Sequence, residues 1–164
     1  MELKIINVKV YILGFTILIA FIFYSAGIFT PTWILVENAE LSIVFEFRGV
    51  ISFNSAEPGW LSAGRWLMSF SFISSILMII FYLIAFSQVK NNGCPHKYRI
   101  WFYSISVCSA IILILTPTAI TLIGINGSYG LLTLGFTVWL YITSMMLTVA
   151  SLGISGYIAY KECR

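Results

Sequence analysis

Charge is missing from three long stretches of this chain: no Asp, Glu, Lys or Arg occurs between Lys9 and Glu37, between Arg65 and Lys90, or between Arg99 and Lys161. A helix needs roughly 20 apolar residues to cross about 30 Å of hydrocarbon, and each stretch is longer than that. A helix buried in a water-soluble core seldom runs so far without one solvated face. The balance of the whole chain agrees, since 9% of its residues are charged against about 25% in soluble domains. Lipid is therefore the expected solvent for most of the polypeptide.

The third stretch is too long for one helix. Gly124, Asn126, Gly127, Ser128 and Gly130 cluster inside it as turn formers and divide it in two. The expected fold is an all-α membrane protein, a single domain over 1–164 with four transmembrane helices at about 10–29, 66–88, 100–123 and 132–159. The connections are then 30–64, 89–99 and 124–131. The first apolar stretch exceeds the 7–15 residues usual for the core of a cleaved signal peptide, so it is read as an uncleaved first helix.

Orientation follows from basic residues, which are retained on the cytoplasmic side. One side of the four-span arrangement carries Lys4, Lys9, Lys90, Lys97, Arg99, Lys161 and Arg164, and the other carries Arg48 and Arg65 beside Glu37, Glu40, Glu46 and Glu57. Both chain ends and 89–99 are thus expected in the cytoplasm of a plasma-membrane protein, with 30–64 and 124–131 outside. The basic residues are scattered at span ends and form no patch, which excludes a nucleic-acid partner. The bilayer is the first partner implied.

The loop 30–64 is the one sizeable soluble part. Leu41, Ile43, Phe45 and Phe47 alternate with Ser42, Val44, Glu46 and Arg48 in the period of a strand, and Gly49 interrupts them. A small extracellular antiparallel sheet built from this first outer loop is expected, seated on the helix ends because an open sheet edge cannot lie in lipid. The short connection 89–99, with Gly93 and Pro95, makes the second and third helices neighbours. Ser69, Ser71, Ser74 and Ser75 in the second helix, and Ser151, Gly153, Ser155 and Gly156 in the fourth, are candidates for close helix packing. Pro117 removes a backbone hydrogen bond within the third helix, and Thr116 and Thr118 stand ready to satisfy the groups it frees.

Catalytic chemistry finds little to work with. The expected spans hold no ionisable residue of the kind that builds a proton or ion pathway, which argues against a pore within one bundle; a pore between copies stays open. Asp is absent altogether, so no Ser/His/Asp set exists, and His96 has no partners at metal-ligand spacing. No cofactor or enzymatic activity is expected. Cys94, Cys108 and Cys163 occur singly; Cys94 and Cys163, just inside the membrane, are either palmitoylation sites or plain reduced thiols. Asn126, Gly127 and Ser128 form an N-x-S sequon on the side assigned to the lumen, which makes Asn126 a glycosylation candidate.

Three short segments resemble a known family. Thr30, Pro31, Thr32 and Trp33 match an S/T-P-x-W motif at the end of the first helix; Gly49 within Arg48 to Ile51 occupies the place of a G-L-W motif; and Arg65, within Leu61 to Leu67, stands where that family has an arginine at the start of the second helix. With four helices, a long first outer loop and a short second one, the chain resembles the claudin superfamily of tetraspan proteins, which includes claudins, peripheral myelin proteins, calcium-channel gamma subunits and glutamate-receptor regulatory subunits. The two cysteines that follow the G-L-W segment in that family have no counterpart, and Asn54 stands near the place of the first. Trp33, Gly49 and Arg65 are the structural positions the resemblance implies. It further implies an accessory or regulatory subunit of a larger channel or receptor, or a junction protein whose outer sheet meets copies of itself. Glu37, Glu40, Glu46 and Glu57 are the acidic contact candidates of that outer loop, either lining a cation-favouring route or standing as plain solvated surface.

Overall fold

The computed structural model describes residues 2–30, 34–38, 43–46, 59–92, 96–127, 132–134 and 137–162, with side chains over 8–30, 59–90 (Leu61 apart), 96–125 and 137–161. Each apolar stretch is a helix: α1 (Glu2–Phe29), α2 (Gly59–Asn92), α3 (Arg99–Gly127) and α4 (Thr137–Tyr157), the last continued by a π-helical turn over Ile158–Glu162. All four contain stretches long and apolar enough to span a bilayer, at Val8–Phe29, Ser62–Lys90, His96–Ile125 and Thr137–Lys161. The protein is a multi-pass membrane protein.

The helices outrun the limits expected from hydropathy. α2 has 34 residues and so is about 51 Å long at 1.5 Å per residue, against about 30 Å of hydrocarbon. Charge marks where lipid ends, but only a breaker ends a helix, and Pro58 and Gly93 are the breakers around α2. The turn cluster also begins late: Gly124, Asn126 and Gly127 lie inside α3. Leu132–Leu134, expected as the start of the fourth helix, is a strand. A short apolar run is ambiguous between the two states, and pairing with a neighbouring strand decides it here.

That pairing involves β1 (Ile34–Asn38), β2 (Ile43–Glu46) and β3 (Leu132–Leu134) in the order β2-β1-β3, both pairs antiparallel. Leu35 faces Glu46 and Glu37 faces Val44 across β1 and β2, while Val36 faces Leu132 across β1 and β3. β1 falls outside the alternation read at 41–53, and β3 comes from between α3 and α4, not from the first outer loop. Of that alternation, residues 41–42 and 47–53 lie outside the described residues.

The bundle is held by a strict three-four repeat on every helix. The buried positions are Val10, Leu13, Ile17, Ala20 and Tyr24 on α1; Met68, Ser71, Ser75 and Met78 on α2; Phe102, Ile105, Ser109, Ile112, Thr116 and Ala119 on α3; and Tyr141, Ser144, Thr148, Ser151 and Ser155 on α4. A 3.5-residue repeat is that of left-handed knobs-into-holes packing. α2 packs most extensively on α3, α1 on α4, and the contacts of α3 with α4 and α1 with α2 complete the ring. Outward positions are large and apolar, among them Phe15, Trp66, Ile114, Trp139 and Met146, as a lipid-solvated surface requires.

Candidate functional site

The seam of the bundle carries hydroxyls where a soluble bundle would carry leucines. Lipid is as apolar as leucine, so helices in it associate through close packing and hydrogen bonds. Thr116 is the hub: its Oγ1 lies 2.8 Å from Ser71 Oγ and 3.3 Å from Tyr24 Oη. The Tyr24 hydroxyl is also 3.4 Å from the Met68 carbonyl oxygen, so α1, α2 and α3 meet at one point. α4 is tied in at two others, where Ser144 donates to the Ala20 carbonyl at 2.9 Å and Ser155 pairs with Ser106 at 2.8 Å. Thr116, expected to serve the backbone beside Pro117, turns to α2 and α1 instead, while Thr118 donates to the Ile114 carbonyl at 2.6 Å.

Two tyrosines rest where glycines leave room. A Cβ at Gly27 would lie 2.8 Å from the Cε2 and Cζ of Tyr141, and one at Gly14 would overlap the Tyr82 hydroxyl. The Tyr141 ring stands edge-on to Tyr24, centroids 5.0 Å apart. Tyr82 donates to the Val10 carbonyl at 3.3 Å. Both glycines are on α1, which is therefore the helix approached most closely on two sides.

A second cluster lies at the other end of the spans from the sheet. The Tyr157 ring has the Lys9 ammonium 4.8 Å from its centroid and the Lys161 ammonium 5.4 Å away. Both are within the roughly 6 Å range of cation–π attraction. Lys9 and Lys161 stand near the limits of the first and fourth apolar spans. Between α1 and α4 beside them runs a groove of about 360 Å³ lined by Lys9, Ile12, Gly153, Ile154 and Tyr157.

Of the family-motif, acidic, glycosylation and palmitoylation candidates, Arg65 is the one whose side chain is described. It is 5% exposed and lies inside α2, not at its threshold. Glu37 and Glu46 stand on β1 and β2, and Asn126 in the last turn of α3, their side chains outside the described set. Trp33, Gly49, Glu40, Glu57, Cys94 and Cys163 lie outside the described residues. Cys108 is buried in the seam region of α3. Among the packing candidates, Ser71, Ser75, Ser151 and Ser155 are buried, whereas Gly153 is exposed and Ser69, Ser74 and Gly156 are half-buried. No group of three possible metal ligands occurs among the described residues.

Tyr24 and Tyr141 escaped the sequence reading, and Thr116 was assigned a different role in it, although small and hydroxyl residues at three-four spacing in an uncharged stretch were the available signal. The pairing of Lys9 with Tyr157 had none, because the two are far apart in sequence.

A protein-family model described as tight junction protein, claudin-like, matches residues 1–164. No curated protein matches the chain.

Proposed function

The chain belongs to the claudin-like tight junction protein family, and from that premise we propose that it is a non-enzymatic plasma-membrane protein acting as an accessory or regulatory subunit of a larger ion channel or receptor. In this reading both chain ends and 89–99 are cytoplasmic, and β1, β2 and β3 form an extracellular sheet. Cys94 and Cys163 then face the cytosol, where palmitoylation is available to them, and Asn126 faces the glycosylating compartment.

The observation that supports partnership over independent action is the closed seam. Most of its described polar groups are hydroxyls bonded to one another or to backbone, as at Ser71, Thr116, Ser144 and Ser155, and among the described residues Arg65, at the start of the second span, is the one buried charged side chain, so no series of charged groups runs along the seam of the kind that transport requires. What remains for function is surface: the apolar flanks of the helices and the small sheet above them. Purification of the native protein in a mild detergent, after brief crosslinking in the membrane, tests this. A larger channel or receptor polypeptide in stoichiometric yield is expected; the chain recovered alone or only with copies of itself refutes it.

The family description favours a second reading, a junction or adhesion protein that polymerises laterally and meets a copy on the next cell. Glu37, Glu40, Glu46 and Glu57 would then line a cation-favouring route by focusing negative potential. A tagged chain confined to cell borders supports this reading, and diffuse or synaptic staining supports the first.

A further inference from the structure

The end of the α2–α3 hairpin away from the sheet gathers cations that no acid answers. Lys90 closes the second apolar span, and Lys97 and Arg99 stand at the opening of the third. A short 3₁₀ turn at His96–Tyr98 packs on both α2 and α3, so the three charges share one end of one hairpin. No Asp or Glu occurs between Glu57 and Glu162, and none of the three cations forms an ion pair with a described residue. Lys90 and Lys97 are exposed. Arg99 differs from them in being held. Its guanidinium lies over the Tyr103 ring, 5.0 Å from the centroid, and its Nη2 donates to the Tyr103 hydroxyl. Cation–π attraction fixes a guanidinium without neutralising it, so the charge stays available to an anion. The Arg99 Nε is shut off from solvent and has no acceptor, although buried donors are normally satisfied. Tyr103 itself is exposed, within the outward stripe Ile100, Tyr103, Val107, Ile111 and Ile114 of α3. The clamp therefore fixes one cation at the head of an apolar, outward-facing stripe.

From this arrangement we infer a binding site for one acidic glycerophospholipid, its headgroup phosphate or carboxylate on Arg99 with Lys90 and Lys97 around it, and one acyl chain along Ile100, Tyr103 and Val107. The planar fork of an arginine matches a phosphate or carboxylate, and a side chain already held in place loses little freedom on binding. The two lysines add field rather than geometry. Charge complementarity selects an acidic lipid over a zwitterionic one, and in the expected orientation this end meets the cytoplasmic leaflet, where acidic lipids are concentrated. The site is independent of the proposed accessory role.

The test is native mass spectrometry of the full chain in detergent, titrated with phosphatidylserine or phosphatidylcholine of the same acyl chains. The parent should retain one phosphatidylserine at a preference of roughly tenfold or more. Arg99→Gln should lower that preference about fivefold, the effect of one basic residue near an acidic headgroup, and Lys90→Gln combined with Lys97→Gln should lower it at least as much. Tyr103→Leu keeps the charge but removes the clamp, and should lower the preference by part of the Arg99→Gln effect. Lys161→Gln, at the same end of the bundle but on α4, should leave it unchanged. Equal losses in Lys161→Gln and Arg99→Gln would mean diffuse surface charge and would overturn the site, as would equal retention of the two lipids by the parent. An unchanged preference in Arg99→Gln or in Tyr103→Leu overturns it too. So does displacement of the lipid by soluble glycerophosphoserine, which would mean an anion site without an acyl contact. Should Arg99→Gln lose its helix content by circular dichroism, the lysine double variant set against Lys161→Gln decides alone.

Discussion

Alanine at Gly27 and alanine at Gly153 are the same chemical change in two membrane helices, and the structure assigns them opposite consequences. At Gly27 the new methyl would sit 2.8 Å from two ring carbons of Tyr141, roughly 1 Å inside the contact distance of carbon atoms. The ring cannot retreat: Tyr141 is 0% exposed and abuts Tyr24 edge-on, which is itself tied to Thr116. Overpacking a filled core costs about 1–3 kcal/mol. At Gly153 the methyl meets no atom within 4 Å, so no such cost arises. The helix preference for Ala over Gly, about 1 kcal/mol in water, acts at both sites and cancels in the comparison. Gly27→Ala should therefore be less stable than Gly153→Ala by roughly 1–3 kcal/mol. Reversible unfolding by SDS in mixed micelles, followed by far-ultraviolet circular dichroism, measures the difference. Adding Tyr141→Leu to each background makes a double-mutant cycle, in which Gly27 should show a coupling above about 0.5 kcal/mol and Gly153 none. Equal midpoints for the two alanine variants would refute the close approach of α1 and α4 at Tyr141.

Thr116→Val and Ser71→Ala should each lower stability, with a coupling of about 0.6 kcal/mol in their cycle, typical of hydrogen bonds between membrane helices; the same unfolding titration reads it. Ser144→Ala removes the hydroxyl that donates to the Ala20 carbonyl at 2.9 Å and should cost a similar amount, whereas Thr143→Ala, whose hydroxyl bonds only within its own helix, should cost less. Arg65→Ala empties a buried site at the start of the second span and should cost roughly 1–3 kcal/mol through lost packing and polar contacts, seen as a lower unfolding midpoint with helix content unchanged. Val36→Pro puts a proline in the central strand of the β2-β1-β3 sheet, where it cannot donate to the ladder; limited proteolysis should become faster in the connections while the four spans stay protected.

How much of this was legible in the sequence differs by level. Three uncharged stretches, the third too long for one helix and divided by its turn formers, were enough for the number of helices, because lipid excludes charge more strictly than any soluble core does. Helix ends were not legible from the same signal, since Arg65 and Lys90 can leave the hydrocarbon without leaving the helix. The run Leu132–Leu134 reads equally well as helix or strand until its partner Ile34–Val36 is known. Serine and threonine at three-four spacing did point to packing faces, but Ser71 and Ser75 go to the seam and Ser69 and Ser74 do not. On a helix apolar all round, no contrast in hydropathy marks the difference. The hub at Thr116 joins three helices and the cationic edge at Tyr157 joins the first and last, so both are products of assembly that no local pattern contains.

The central claim is that lipid solvates most of the chain and that basic residues decide which connections reach the cytosol. Antibody access on intact cells tests it most directly, with one tag at each chain end and, in a separate variant, one inserted between Asn54 and Pro58. Both end tags should be silent until the membrane is permeabilised, and the loop tag should label at once. One end tag reading outside while the other reads inside, or a loop tag that stays silent on intact cells, would contradict the account.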